Sequence, residues 1–172
     1  LEIGVAKGGS TAAFYNFFKN SNFYCIDLNK DIFEYYSKKI FFFKINYLNS
    51  NKVKAFALNY KNFFDIIIDD GSHASSHILL NLKNFTNCLK KSGIFVIEDF
   101  AWDEKCIYKN DSPNEKKITE ILKNIRKKKF FKSKIIDKKT QKILFKRFNE
   151  VKIHKGSWVM NKKNISDIAF LG

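Results

Sequence analysis

Short apolar runs recur along the first hundred positions, each ending at a glycine-rich, polar or acidic turn. Leu1 to Val5 predicts a strand that ends in such a turn. Ser10 is expected to cap a helix through residues 11–20, "TAAFYNFFKN". "FYCIDLN" predicts a second strand ending at Asp27, and "DIFEYYSKKI" has helical spacing. "FFFKINY" predicts a third strand and residues 51–62 a short helix. Phe64 to Asp69 predicts a fourth strand. "SSHILLNLKNFTNCLKK" has apolar residues at three- and four-residue steps, a helix stopped by Ser92-Gly93. "IFVIED" predicts the fifth strand.

Strands alternating with helices imply a parallel sheet covered on both faces, and strands that are apolar throughout agree with burial on both sides. The expected architecture is therefore α/β: a Rossmann-like, doubly wound, mostly parallel sheet. Beyond Asp99 the rhythm changes. Residues 100–113 read as a loop and residues 114–130 as a Lys-rich amphipathic helix. "FNEVKIHKGSWVMNKK" predicts two strands joined tightly around Lys155-Gly156, a C-terminal antiparallel hairpin. The whole chain is expected to form one domain. It opens on Leu1-Glu2-Ile3-Gly4, already strand-like and without an initiating Met, so an N-terminal part is expected to be missing.

Composition narrows the function. Over 172 residues, 45% hydrophobic and 16% aromatic content suits a packed fold rather than disorder. No apolar run approaches the roughly 20 residues that span a bilayer. The net charge of +15 invites a nucleic-acid partner. Yet only Arg126 and Arg147 are arginine, and the joint excess of Lys, Asn, Ile, Phe and Tyr resembles the codon bias of an AT-rich genome. Readers of nucleic acid favour the bidentate Arg fork, so that partner is disfavoured. Lys127-Lys128-Lys129 is expected to be a solvated helix end. Cys25, Cys88 and Cys106 form no CxxC and suit a reduced, cytoplasmic setting as small core fillers.

Three segments carry chemistry. In "LEIGVAKGGS", Gly4, Ala6, Gly8 and Gly9 would bend the chain from strand to helix and admit a ligand to the backbone. Asp27 follows about 20 residues later at the next strand end, where an acid can bond ribose hydroxyls. A plain strand–turn–helix without ligand is the bland alternative. Asp69-Asp70 and Glu98-Asp99 end strands four and five. In open parallel sheets ligands sit beyond these ends. Four carboxylates there repel one another unless protonated or bridged by a hard divalent cation. Alternatively Asp70 or Ser72 caps the next helix. His73 lies beside these acids, where a neutral imidazole can take a proton near pH 7, or it makes only a structural hydrogen bond. His77, four residues on, packs or faces solvent; no third ligand supports a zinc site with it.

Taken in order, "LEIGVAKGGS", "IIIDDGSH" and "IFVIEDF" resemble the class I S-adenosylmethionine-dependent methyltransferases. The nearer resemblance is to their metal-dependent sugar O-methyltransferase branch, with the macrocin-type and cephalosporin-hydroxylase-like proteins. The resemblance covers residues 1–100 and extends to the terminal antiparallel strands. It implies that Glu2, Gly4, Ala6, Gly8, Gly9 and Ser10 line the methionine end of the cofactor, and that Asp27 binds its ribose. Asn46 and Tyr47 would lie near the adenine, although the family often has an acid around Asn46. Asp69, Glu98 and Asp99 match the family's metal acids, with Asp70 as the alternative to Asp69; Asp69 also falls within reach of the cofactor. His73 matches a catalytic base. The implied activity is a Mg²⁺-assisted O-methyltransferase acting on a saccharide or small hydroxylated metabolite, with self-association left open. Trp102, Asp103 and Tyr108 are candidates to meet the acceptor. Two rivals remain: an NAD-dependent oxidoreductase, which lacks its Tyr-x-x-x-Lys pair here, and a nucleic-acid methyltransferase, whose Asn-Pro-Pro-Tyr motif the lone Pro113 excludes.

Overall fold

The computed structural model describes residues 1–102, 115–156, 159–160, 163–164 and 167–172. The apolar runs become a sheet. Its parallel strands are β1 (Glu2–Ile3), β2 (Phe23–Asp27), β3 (Ile40–Lys44), β4 (Phe64–Asp69) and β5 (Leu89–Ile97). β6 (Val151–His154) and β9 (Ile168–Leu171) complete seven strands in the order β3-β2-β1-β4-β5-β9-β6. β9 runs antiparallel to both of its neighbours. A separate two-stranded ribbon pairs β7 (Val159–Met160) with β8 (Lys163–Asn164). The expected doubly wound α/β class is therefore observed, with an antiparallel C-terminal pair.

Helices cover the sheet: α1 (Gly9–Phe17), α2 (Ser50–Asn59), α3 (Ser75–Phe85), α4 (Ile118–Arg126) and α5 (Lys138–Arg147). α3 buries Ile78, Leu79, Leu82 and Phe85, and α4 buries Ile118, Ile121, Leu122 and Ile125. Both follow the three- and four-residue steps of an amphipathic helix. These side chains meet Ile3, Ile26, Ile67, Phe95 and Ile97 of the sheet in one core. Burying each such side chain stabilises the fold by about 1.5–3 kcal/mol.

Four expectations fail for physical reasons. Residues 31–40 form no helix; a single 3₁₀ turn, Lys30–Ile32, is capped by Asn29. Phe33 alone is buried there, while Ile32, Tyr35 and Tyr36 are exposed, so no apolar stripe exists to pack. α1 starts before Ser10: left-handed Gly8 occupies the cap position and Ser10 lies within the first turn. The third helix stops at Phe85, passes through a 3₁₀ turn (Thr86–Cys88) and yields to β5. Ser92-Gly93 therefore lies inside β5. There the pairing with β4 is irregular, and a Cβ on Gly93 would stand 2.9 Å from the Asp65 carbonyl oxygen. Finally, β6 does not pair with the next strand. It pairs with β9, a strand the sequence pattern does not predict, and ends before Lys155-Gly156. "IAFL" is more apolar than "SWVMNKK", and it takes the doubly paired place between β5 and β6. Nor does the sequence pattern predict α5, which Asp137 caps by accepting the Thr140 N–H at 2.7 Å.

Candidate active site at the switch point

Strand order reverses between β1 and β4, so the chain leaves those two strands in opposite directions. A crevice opens beyond their C-terminal ends at such a point. The ladder continues onto this rim. The Gly4 N–H donates to Ile26 O at 2.8 Å, the Asp70 N–H to Ile3 O at 2.9 Å, and the Glu98 N–H to Asp69 O at 2.9 Å. The three chemistry-bearing segments therefore lie side by side.

Gly4 shows why this place needs glycine. Its φ is +81°, and a Cβ there would lie 2.5 Å from the Asp70 carbonyl oxygen. The glycine turn and the acid turn touch at that point. Ala6, at φ +45°, also adopts left-handed backbone. Asp27 staples the turn: one carboxylate oxygen accepts the N–H groups of Val5 and Ala6 at 2.8 and 2.9 Å. Its other oxygen accepts those of Leu28 and Asn29 at 2.6 and 3.2 Å. Those four donors match the roughly four lone-pair positions of a carboxylate. Glu2 is buried beneath the start of α1 and accepts hydrogen bonds from the hydroxyls of Ser10 and Thr11. Burial pushes its carboxyl upward, and these hydroxyls oppose the shift. Gly9 faces open space. Asn46 is exposed at the rim, and its side-chain oxygen accepts the Leu48 N–H at 2.9 Å.

The two aspartates at the end of β4 diverge. Asp69 points inward and is only 3% exposed. One of its oxygens accepts the Asn81 amide at 3.0 Å, and the other has no hydrogen-bond partner. Burial raises its carboxyl to about 7. Asp70 also rises to about 7, first by burial and then by the charges of Glu98, Glu2, Asp99 and Asp69. Glu98 and Asp99 are raised as well, first by burial; Asp99 then adds to the Glu98 shift. Asp70, not Asp69, thus faces the other rim acids. His73 sits among them. Its Nδ1 lies 3.3 Å from the Glu98 carbonyl oxygen and its Nε2 lies 3.9 Å from an Asp70 oxygen. Its ring lies against Trp102, centroids 4.9 Å apart. His73 and Asp99 adopt φ of +58° and +48°. Non-glycine residues in this region cost of the order of 1–3 kcal/mol and gather at functional sites.

Sequence reasoning missed Asp167. The antiparallel register pairs Ile97 with Ala169, which carries the buried Asp167 to the rim beside Asp99. Its charge contributes to the raised Asp99 carboxyl. Rim acids follow parallel strands, but on an antiparallel strand they precede it, so the run "DIAF" hides the signal. Asp103, Cys106 and Tyr108 lie outside the described residues.

A family model described as a methyltransferase domain matches residues 1–100. The chain belongs to that family. Among solved structures, the MycE methyltransferase from the mycinamycin biosynthetic pathway, in complex with Mg and SAH, is 20% identical, with a TM-score of 0.70. The same enzyme in complex with Mg, SAH and mycinamycin VI gives 20% and 0.65. In both cases the match covers 99% of this chain and 43% of MycE, so the chain spans less than half of that enzyme. Spermidine synthase from Thermotoga maritima is 15% identical at a TM-score of 0.58, covering 99% of this chain and 51% of that one. No curated protein matches. At these identities the likeness establishes the methyltransferase-like fold, and a synthase shares it, so the reaction must be argued from the rim itself.

Donor chemistry at the rim suits a hard divalent cation, because Asp70, Glu98 and Asp99 offer carboxylate oxygens whose charges oppose one another. Among the described residues, no three His, Cys, Asp or Glu side chains already stand close enough to hold an ion. The fit therefore rests on the donor set and not on a finished cage. No helix of the described residues is long and apolar enough to cross a membrane.

Proposed function

We propose that this rim is the active site of an S-adenosylmethionine-dependent O-methyltransferase of the macrocin-type sugar branch. It would act with Mg²⁺ on a hydroxyl of a sugar or small hydroxylated metabolite, in the cytoplasm. One observation carries the reading: the glycine turn and the acid–imidazole turn are in backbone contact through Gly4 and Asp70. A cofactor on the first turn and an acceptor on the second would be adjacent.

The cofactor supplies an electrophilic methyl group, and the cation lowers the pKa of an acceptor hydroxyl. The chain's own residues do the rest. Gly4, Ala6, Gly8 and Gly9 let the backbone approach the methionine end, with Glu2 and Ser10 fixing the start of α1 behind them. Asp27 holds that turn in shape and lies where ribose hydroxyls would compete for its oxygens. Asn46 borders the adenine side. Asp70, Glu98 and Asp99 would hold the cation; Asp69 braces the β4 end from inside. A carbonyl oxygen only accepts, so the contact with Glu98 O places the His73 proton on Nδ1 and makes Nε2 the nitrogen that takes the hydroxyl proton. Holding nucleophile and methyl in line supplies much of the rate.

The test is transfer of tritiated methyl from S-adenosylmethionine to a panel of hydroxylated sugars, with Mg²⁺ or with EDTA. Labelled product that requires Mg²⁺ supports the reading. Undiminished transfer in EDTA would remove the cation from it, and no transfer to any hydroxyl acceptor would remove the O-methylation.

A further inference from the structure

The turn Asp70-Gly71-Ser72-His73 bears both an acid and the base, and it includes left-handed backbone at His73. Something outside the turn must hold it. Ser72 provides the handle. Its hydroxyl is hydrogen-bonded to Nδ1 of His77, in the first turn of α3. The buried Tyr47 comes from the loop between β3 and α2. The Tyr47 and His77 rings meet edge to face, with centroids 5.6 Å apart and planes at 75°. The Tyr47 hydroxyl oxygen lies 3.3 Å from where a Cβ of Gly71 would be, so the bare backbone at 71 lets the phenol in under the turn.

We propose that Tyr47, Ser72 and His77 form a positioning relay that fixes the Asp70–His73 turn against the loop after β3. The proposal rests on the methyltransferase reading above and extends it to residues that hold the acid–imidazole turn from outside. The proton order follows from the donors available. The Ala74 N–H donates to the Ser72 hydroxyl oxygen, at 3.4 Å. With that donor on its oxygen, the Ser72 hydroxyl turns its own hydrogen to His77 Nδ1. His77 is then neutral and protonated on Nε2. A simple cap would look different: α3 has Ala74 at its cap position, with no side-chain cap bond. The relay ties two rim loops together, one on each side of the crevice.

Two readouts test this, one without any ligand. Nitrogen-15 shifts of the His77 ring in the protein alone should show Nδ1 as the lone-pair nitrogen and Nε2 as protonated. Ser72→Ala should collapse that preference. Tyr47→Phe, Ser72→Ala and His77→Ala should each lower kcat for methyl transfer about 10–100-fold, the scale for partners that orient a site. For Ser72→Ala and His77→Ala, KM for S-adenosylmethionine should stay within about twofold, and His77→Asn, which keeps an acceptor near Nδ1, should recover part of kcat. Protonation of Nδ1 in the wild type overturns the relay. So does a wild type that transfers methyl while all three variants match it. A wild type that transfers no methyl to any acceptor strikes instead the functional reading on which the proposal rests.

Discussion

The strand-end rim and the α4–α5 region carry charge in opposite ways. Residues 116–147 hold fourteen Lys and Arg against two acids, Glu120 and Asp137. Residues 1–100 hold twelve Lys against nine acids, and Glu2, Asp27, Asp69, Asp70, Glu98 and Asp99 of these stand at the crevice. The basic side chains of α4, α5 and Lys127 to Lys129 are mostly exposed. Lys128 and Arg147 reach towards Asn149 and Asn62, where β6 and β4 begin, away from the crevice. Solvated lysines cost little and couple weakly. Glu2, Asp69, Asp70, Glu98 and Asp99 resist ionising, first because they are desolvated, and in Asp70, Glu98 and Asp99 also because neighbouring acids press on them. Net charge therefore misdirects: the excess that suggests a polyanion partner is mostly solvated, and the chemistry sits in the minority charge.

That contrast can be broken at several points. The largest effect is expected at His73. His73→Ala should lower methyl transfer about 10²–10⁴-fold while S-adenosylmethionine still binds, measured by steady-state kinetics and calorimetry. Next come the two aspartates, which sharpen the contrast within the rim itself. Asp69→Ala strands the buried Asn81 amide and should cost about 1–3 kcal/mol in chemical denaturation. Asp70→Asn should instead cost no stability, raise that of the metal-free protein above about pH 7, and weaken the Mg²⁺ dependence of transfer.

A pH scan should show the same opposition. Asp69 and Asp70 sit near 7 in the fold and near the ordinary 3.9 when unfolded. Between those values the folded state binds more protons, so the metal-free protein loses stability as pH rises from about 4 to 7. Mg²⁺ should accordingly raise the melting temperature more at pH 8 than at pH 5. An equal shift at both would remove the cation from these acids. The smallest effect belongs to the basic region: Lys127→Gln, Lys128→Gln and Lys129→Gln together should change stability by about 0.5 kcal/mol or less and leave methyl transfer unaltered.

Much of the site was legible because parallel strands announce their rim. In "IIIDDGSH" and "IFVIEDF" the apolar run stops where the chemistry starts, and the glycine turn does the same after β1. What escaped was set by tertiary contacts. The sequence offers Asp69 and Asp70 as equals; only packing against Asn81 turns one inward. His77 has no meaning until the turn brings Ser72 to it. Asp167 needs the register of β9, which the Lys-Gly pair at 155 and 156 conceals by suggesting a hairpin with the wrong strand. In residues 31–40 helical spacing was present but three of its large side chains face solvent, and spacing without burial does not make a helix. The Lys-rich α5 failed the other way, since its charges obscured the buried Gln141, Leu144 and Phe145.

The central claim is that the crevice between β1 and β4 binds an adenosyl sulfonium cofactor. Calorimetric titration with S-adenosylmethionine and with NAD, each in Mg²⁺ and in EDTA, tests it most directly. Roughly micromolar binding of S-adenosylmethionine with none of NAD is the predicted result. A folded protein that binds NAD and ignores S-adenosylmethionine would contradict it, and the roles given to His73 and the rim acids would fall with it.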